Sequence, residues 1–257
     1  MAANDTNLTG RVALVTGGAK RVGRQIALTL AAAGMDVAIT YQSSESDANA
    51  LVAEIQRSGR RAAAIAVNLA QPDAADIVHR AFAAHFDRLD ALVNNAAIFD
   101  RTPLGDVTTD QFDLFMAVNA RAPLLLIQKF APMLAAHADP DQPHTLGRIV
   151  NLIDIHATAQ TAPGYAAYAA SKAALRQITQ NAALELAPKI TVNAIAPGAI
   201  EWADFYDQAA RRRYLQRVPL GRPGSPHDAA AAVLYLVRDA HYCTGQVITI
   251  DGGRSLT

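Results

Sequence analysis

The sequence predicts a single α/β domain, a doubly wound parallel sheet with helices on both faces. Three observations carry this expectation. Short runs such as 12–16 (VALVT) and 190–195 (ITVNAI) are apolar throughout, as strands covered on both faces must be. Longer stretches of helical pattern separate successive runs, and right-handed βαβ units repeated in this way wind a parallel sheet. No linker, internal repeat or low-complexity tract interrupts the alternation, and 257 residues suit one large domain with a well-buried core.

The elements follow in order. Residues 1–9 read as a flexible N-terminus. The strand at 12–16 runs into a glycine-containing turn, and a helix over 21–33 is ended by Gly34. A strand at 36–40 (DVAIT) precedes a helix over 47–58, an extended run at 62–67 and a helix over 73–86. Residues 91–94 form a strand and 110–134 one long helix, followed by a polar, proline-rich surface loop at 138–146 (ADPDQPHTL). Then come a strand at 148–153 (RIVNLI), a helix over 165–186 and the strand at 190–195. Ser225 caps a late helix, with Pro226 at its first position and Asp228 in its first turn. The last strand is 246–250 (QVITI). The stretch 201–224 lacks a clean period and holds Trp202, Phe205 and Tyr206; its place between a strand end and a core helix suits a substrate-covering segment.

Composition narrows the function. Hydrophobic residues at 51% against 18% charged exclude a disordered chain. Lys and Arg together number 23, as do Asp and Glu, which argues against a nucleic-acid partner. The arginine run at 211–213 reads as a solvated helix face. A single cysteine, Cys243, excludes an intramolecular disulfide and reads as a small core residue. Seven scattered histidines without an HxxxH or HExxH spacing predict no metal site. No basic segment followed by an apolar one opens the chain, and no charge-free apolar run is long enough to span a bilayer; no membrane partner and a cytoplasmic location are expected.

The first turn reads Thr16-Gly17-Gly18-Ala19-Lys20-Arg21-Val22-Gly23. Glycines let the backbone turn sharply and approach a pyrophosphate, and the following helix offers free N–H groups and a positive dipole end. Gly17, Lys20, Arg21, Val22 and Gly23 are therefore candidate cofactor residues. After the second strand, Tyr41, Ser43 and Ser44 stand where a carboxylate would hold the ribose of NAD. Hydroxyls there, with two cations opposite, favour a 2′-phosphate and hence NADPH, although Glu45 is close. Further on, Tyr168 and Lys172 stand at i and i+4 and share a helix face. A phenol titrates near pH 10, and a cation within a few ångströms lowers that by ~1–3 pH units, into range for proton delivery.

Together these motifs resemble the short-chain dehydrogenase/reductase family, from residue 10 to the C-terminus. The turn is similar to TGxxxGxG, with Arg21 replacing the middle glycine, and 94–97 (NNAA) is similar to NNAG with Ala97 for glycine. Asn68 and Leu69 stand where the family has Asp and an apolar residue against the adenine. Asn119, Tyr168 and Lys172, the Pro197-Gly198 turn and Asp251-Gly252-Gly253 complete the set. The resemblance implies a Rossmann-type fold. It places Asn95, Ala96, Ala97, Pro197, Gly198 and Ile200 at the cofactor, and Asn119 on a water behind Lys172. It also implies a homotetramer built partly from helices 110–134 and 165–186.

One departure suggests the substrate. Most members carry a serine at the end of the fifth strand, bonded to the substrate carbonyl oxygen; here the chain reads Ile153-Asp154-Ile155-His156, with the loop to Tyr168 longer by one. Ile155 holds the usual offset and cannot act, so Asp154 is the candidate. A carboxyl in a closed apolar site is pushed toward its protonated form, able to donate a proton or bind ring N–H groups. Asp154, Arg21, Phe99 in NNAAIF, and the segments 153–157 (IDIHA), 196–202 (APGAIEW) and 244–256 resemble the pteridine reductase branch. By that resemblance Phe99 stacks on a pterin against the nicotinamide, Arg21 bonds ring or phosphate oxygens, and Asp154, Tyr168 and Trp202 meet the substrate. Ala97 replaces a serine that contacts the pterin in some members. His156 reads as a loop residue. The expected function is NADPH-dependent reduction of a pterin or dihydropterin, with Tyr168, assisted by Lys172 and Asp154, as proton donor. The alternatives are a carbonyl reductase acting on a 3-oxoacyl thioester or sugar ketone, and a non-catalytic NADPH-binding protein.

Overall fold

A computed structural model describes residues 7–202 and 206–257. The apolar runs lie side by side as β1 (Val12–Val15), β2 (Asp36–Tyr41), β3 (Ala62–Ala66), β4 (Ala91–Asn94), β5 (Gly147–Leu152), β6 (Ile190–Pro197) and β7 (Val247–Ile250). They form one sheet in the order β3-β2-β1-β4-β5-β6-β7, with every pairing parallel. Chain order reverses between β1 and β4, and a crevice opens outside the carboxyl ends of the strands at such a switch point. The predicted doubly wound sheet is what the chain forms.

Both faces are covered. On one, α1 (Arg21–Ala32), α2 (Glu45–Arg57) and α8 (Pro226–Arg238) bury Ile26, Leu30, Leu51 and Val233 against the sheet. On the other lie α3 (Ala74–Ala83), α5 (Ala122–Ala135) and α6 (Ala166–Leu186), where Phe82, Leu126, Phe130 and Ala183 fill the gap. Ser225 and Asp228 cap α8 reciprocally, as the sequence predicts: the Ser225 side chain accepts from the Asp228 N–H, and the Ser225 N–H donates to Asp228 Oδ2 at 2.7 Å.

The structure departs from the sequence reading in four places. The helix expected over 110–134 is α4 (Thr109–Met116) and α5 joined by a π turn, Ala117–Arg121, which carries Asn119. This combined helix is long and apolar enough to cross a bilayer by length and composition, but more than half of it is buried against the domain, as in a core helix. The expected flexible N-terminus is ordered from residue 7: Leu8 is buried and its N–H donates to Ala33 O at 3.1 Å; residues 1–6 lie outside the described residues. Residues 201–224 hold a short helix, α7 (Gln208–Leu215), capped by Asp207; its arginine-rich sequence has no apolar period to betray it. The run 211–213 is not wholly solvated, because the Arg211 guanidinium lies 5.8 Å from the Trp202 ring centroid.

Phe82 is fully buried and meets Phe130 edge-on at 5.3 Å, pinning α3 to α5. Phe82→Ala is expected to destabilise the fold by about 3–5 kcal/mol, measured by denaturant unfolding.

Candidate active site

The turn after β1 is built from close backbone approaches. The Gly17 N–H donates to Thr40 Oγ1 at 3.1 Å and the Gly18 N–H to Thr40 O at 3.0 Å. Asn95 Nδ2 donates to Thr16 O at 2.8 Å and Gly17 O at 3.1 Å, tying the turn to the end of β4. A Cβ on Gly23 would stand 2.3 Å from Gly17 O, so only glycine allows α1 to start this close to the turn. α1 begins with no side-chain cap and no acidic residue in its first turn, leaving its N–H groups for an anion.

Most of the expected cofactor residues converge here. Gly17, Lys20, Arg21, Val22, Gly23, Asn95, Ala96, Ala97, Tyr168, Lys172, Pro197, Gly198 and Ile200 line one cleft of about 390 Å³. Tyr41, Ser43, Ser44, Asn68 and Leu69 lie at or just past the carboxyl ends of β2 and β3, further along the same edge of the sheet. A glycine cradle facing uncapped N–H groups fits a dinucleotide pyrophosphate.

The two cations behave differently from expectation. Lys20 Nζ pairs with Asp47 at 3.0 Å. Arg21 reaches away from the turn: Nη2 donates to Trp202 O at 3.1 Å, and Nε lies 3.5 Å from Glu201 Oε2. Among the described residues Arg21 is the one non-glycine with positive φ, at 54°. That left-handed conformation costs a residue with a Cβ roughly 1–2 kcal/mol, while the Arg21 side chain ties the turn to the start of the 201–224 segment.

At the other end of the cleft, α6 carries Tyr168 and Lys172, both buried. The Tyr168 hydroxyl donates to Asp154 Oδ2 at 2.8 Å. Asp154 Oδ1 accepts the His156 N–H at 2.8 Å and lies 2.6 Å from His156 Nδ1. Lys172 Nζ donates to Leu152 O at 2.7 Å. The electrostatics of the phenol are therefore opposite to those expected from Lys172. Burial first, and then the negative charge of Asp154, push Tyr168 well above the ordinary tyrosine value. Burial draws the Lys172 ammonium down to about 8, with Asp154 opposing.

Asn119 acts as a brace. Its Oδ1 accepts from Ile98 N at 2.9 Å, and its Nδ2 donates to Ile98 O at 3.0 Å and to Ser171 Oγ at 3.0 Å. Ser171 Oγ in turn donates to Tyr168 O at 2.7 Å. The π turn thus joins the chain leaving β4 to the helix turn that presents Tyr168.

Beyond Tyr168 lies a smaller pocket, about 140 Å³, lined by Phe99, Asp154, His156, Trp202, Tyr206 and Tyr214 among others. Phe99 stacks on Tyr165 at 5.4 Å and meets Tyr168 edge-on at 4.8 Å. Trp202 meets Tyr206 and Tyr214 edge-on. Phe99, Asp154, Tyr168 and Trp202 thus gather where the sequence placed the substrate, whereas Arg21 lines the cofactor cleft and not this pocket. Phe205 lies outside the described residues. Sequence reasoning missed His156, Tyr165 and Tyr214, whereas Tyr206 was expected in the covering segment. The first two had a local signal: His156 is two residues from Asp154, and Tyr165 is one helical turn before Tyr168.

A family model described as Enoyl-(Acyl carrier protein) reductase matches residues 17–255. The chain belongs to the short-chain dehydrogenase/reductase family. Among its relatives, a 3-oxoacyl-[acyl-carrier-protein] reductase of Synechocystis is 36% identical over 251 residues, 96% of this chain and 98% of that protein. A short chain dehydrogenase from Burkholderia cenocepacia, solved in complex with NADP, superposes with a TM-score of 0.87 at 40% identity, covering 96% of this chain and 99% of the other. A blue fluorescent protein from a metagenomic library, in complex with NADPH, gives 0.87 at 37% identity over the same shares. In this short-chain reductase Arg21 joins the first turn to Glu201 and Trp202, and Asp154 accepts the Tyr168 hydroxyl.

Gly23→Ala, which forces a methyl against Gly17 O, is expected to weaken dinucleotide binding by more than tenfold while the far-ultraviolet circular dichroism stays that of the parent. Titration of the cofactor against intrinsic fluorescence measures it.

Proposed function

We propose that the chain is an NADPH-dependent reductase acting on a flat, nitrogen-containing ring, a pterin or dihydropterin. NADPH is supported by the hydroxyls of Ser43 and Ser44 beyond β2 and by the compared structures that hold NADP or NADPH. When bound, the cofactor supplies a hydride. Tyr168 supplies the proton, Asp154 orients the hydroxyl, and Lys172 holds a positive charge behind it. These residues chiefly orient and place charge.

The observation that carries the ring substrate is the 2.8 Å bond from Tyr168 to Asp154. No serine or threonine is among the described residues lining the pocket. A carboxyl group accepts from ring N–H groups or donates to a ring nitrogen, and the aromatic walls suit a planar substrate.

A second reading, reduction of a carbonyl such as a 3-oxoacyl thioester, is supported more directly by the names of the relatives. NADPH oxidation with dihydrobiopterin and dihydrofolate, beside acetoacetyl-CoA, separates the two. Turnover of the pterins alone supports the ring substrate, turnover of the thioester alone overturns it, and binding without turnover of any favours a non-catalytic protein. In whichever assay is active, Tyr168→Phe is expected to lower turnover by at least about 10² while NADPH still binds.

A homotetramer is proposed as well. An apolar groove of about 760 Å³ between α5 and α6 is lined by Leu124, Leu125, Ala131, Ile178 and Leu186, and Leu184 beside it is 82% exposed. Apolar faces of this kind mark self-association. Light scattering is expected to give four times the chain mass, falling to a smaller species in Leu124→Glu.

A further inference from the structure

We propose that His156 is a positioning residue that balances the negative charge of Asp154 and thereby makes the Tyr168 hydroxyl ready to release its proton. The inference rests on Tyr168 as the proton donor and holds for either substrate class.

Asp154 divides its two oxygens. Oδ2 takes the Tyr168 hydroxyl, and Oδ1 faces His156, through the backbone N–H at 2.8 Å and through Nδ1 at 2.6 Å. The Asp154 and His156 side chains are only 20% and 13% exposed, so water screens the contact weakly. A carboxylate alone is a poor neighbour for a phenol that must lose its proton, because it opposes the phenolate; its effect on Tyr168 runs in that direction. Something must offset it while the proton leaves. Lys172 feels the charge of Asp154 but spends its hydrogen bond on Leu152 O, and Arg21 is engaged with Glu201 and Trp202. His156 is in direct contact with Asp154 itself.

A carboxylate has no proton to give, so with Asp154 ionised Nδ1 carries the hydrogen of the 2.6 Å contact and Nε2 is left to take a second one. The groups around it are Tyr165 just before α6, Tyr168 from α6, Tyr206 and Glu201 from the covering segment, and Tyr214 from α7. Glu201 is already paired with Arg21. Asp154 is the carboxylate in contact with the ring. The balance of the step is simple. The substrate gains one hydride from the cofactor and one proton from the Tyr168 hydroxyl, whose O–H bond breaks, and the phenolate recovers a proton from water. A cationic His156 lets the phenol give its proton beside a carboxylate that no longer acts as a lone charge.

Two measurements on the full chain test this. In the first, kcat for NADPH oxidation is followed from pH 5 to 8 with dihydrobiopterin or acetoacetyl-CoA. The parent is expected to show a limb along which the rate rises as pH falls. His156→Asn, which keeps a donor near the Nδ1 position but has no second ring nitrogen to take a proton, is expected to lose the limb. At pH 6 it should fall roughly tenfold in kcat, less than removal of a general acid would cost, with the KM for NADPH within about twofold. A limb that survives, or an unchanged kcat, overturns the proposal. The second measurement needs no substrate, so a wrong substrate class leaves it readable. Proton NMR is expected to show a far-downfield imidazole Nδ1–H resonance in the parent, lost in His156→Asn and in both Asp154→Asn and Asp154→Ser. Two variants at Asp154 guard against one failing to fold. Absence of that resonance from the parent, or its survival in the folded Asp154 variants, refutes the contact on which the proposal stands.

Discussion

The hydrogen bond between the Tyr168 hydroxyl and Asp154 organises the active end of this molecule. A buried phenol and a carboxylate share one proton-bearing contact, and each needs its place held to within a few tenths of an ångström. α6 supplies the phenol, and the segment leaving β5 supplies the acid. The brace through Ser171, Asn119 and Ile98 fixes the helix turn between them. The π turn around Asn119 makes sense in this light, since the widened helix carries that side chain to both Ile98 and Ser171. The aromatic walls follow: Phe99 packs against Tyr165 and Tyr168, and its position depends on where α6 begins.

The fold was legible because its pattern is redundant. Strands apolar on both faces, helices of matching length and a glycine turn at the first junction all point to one architecture, and no single element had to be right. The cofactor turn was legible for a sharper reason. A Cβ at position 23 collides with a backbone oxygen, so the requirement is written in one residue type. Asp154 was found by the absence of a hydroxyl where the family places one.

What the sequence did not disclose was direction. It placed Lys172 one helical turn from Tyr168, but spacing along a helix says nothing of where a long side chain ends, and the ammonium reaches back to Leu152 O. The same holds for Lys20 and Arg21, whose charges are spent on Asp47 and Glu201. α7 escaped because its register follows from a cap at Asp207 and a stack on Trp202, neither of which leaves an apolar period. His156 escaped because a loop residue is defined by its neighbours in space.

Arg21 joins the turn after β1 to the start of the 201–224 segment. A glycine there would fold with less strain, yet it would leave nothing to reach across the crevice. With arginine, one residue both shapes the floor of the larger cleft and grips the wall of the smaller pocket. A push on the guanidinium from either side is therefore also a push on the other, so the two cavities share one latch.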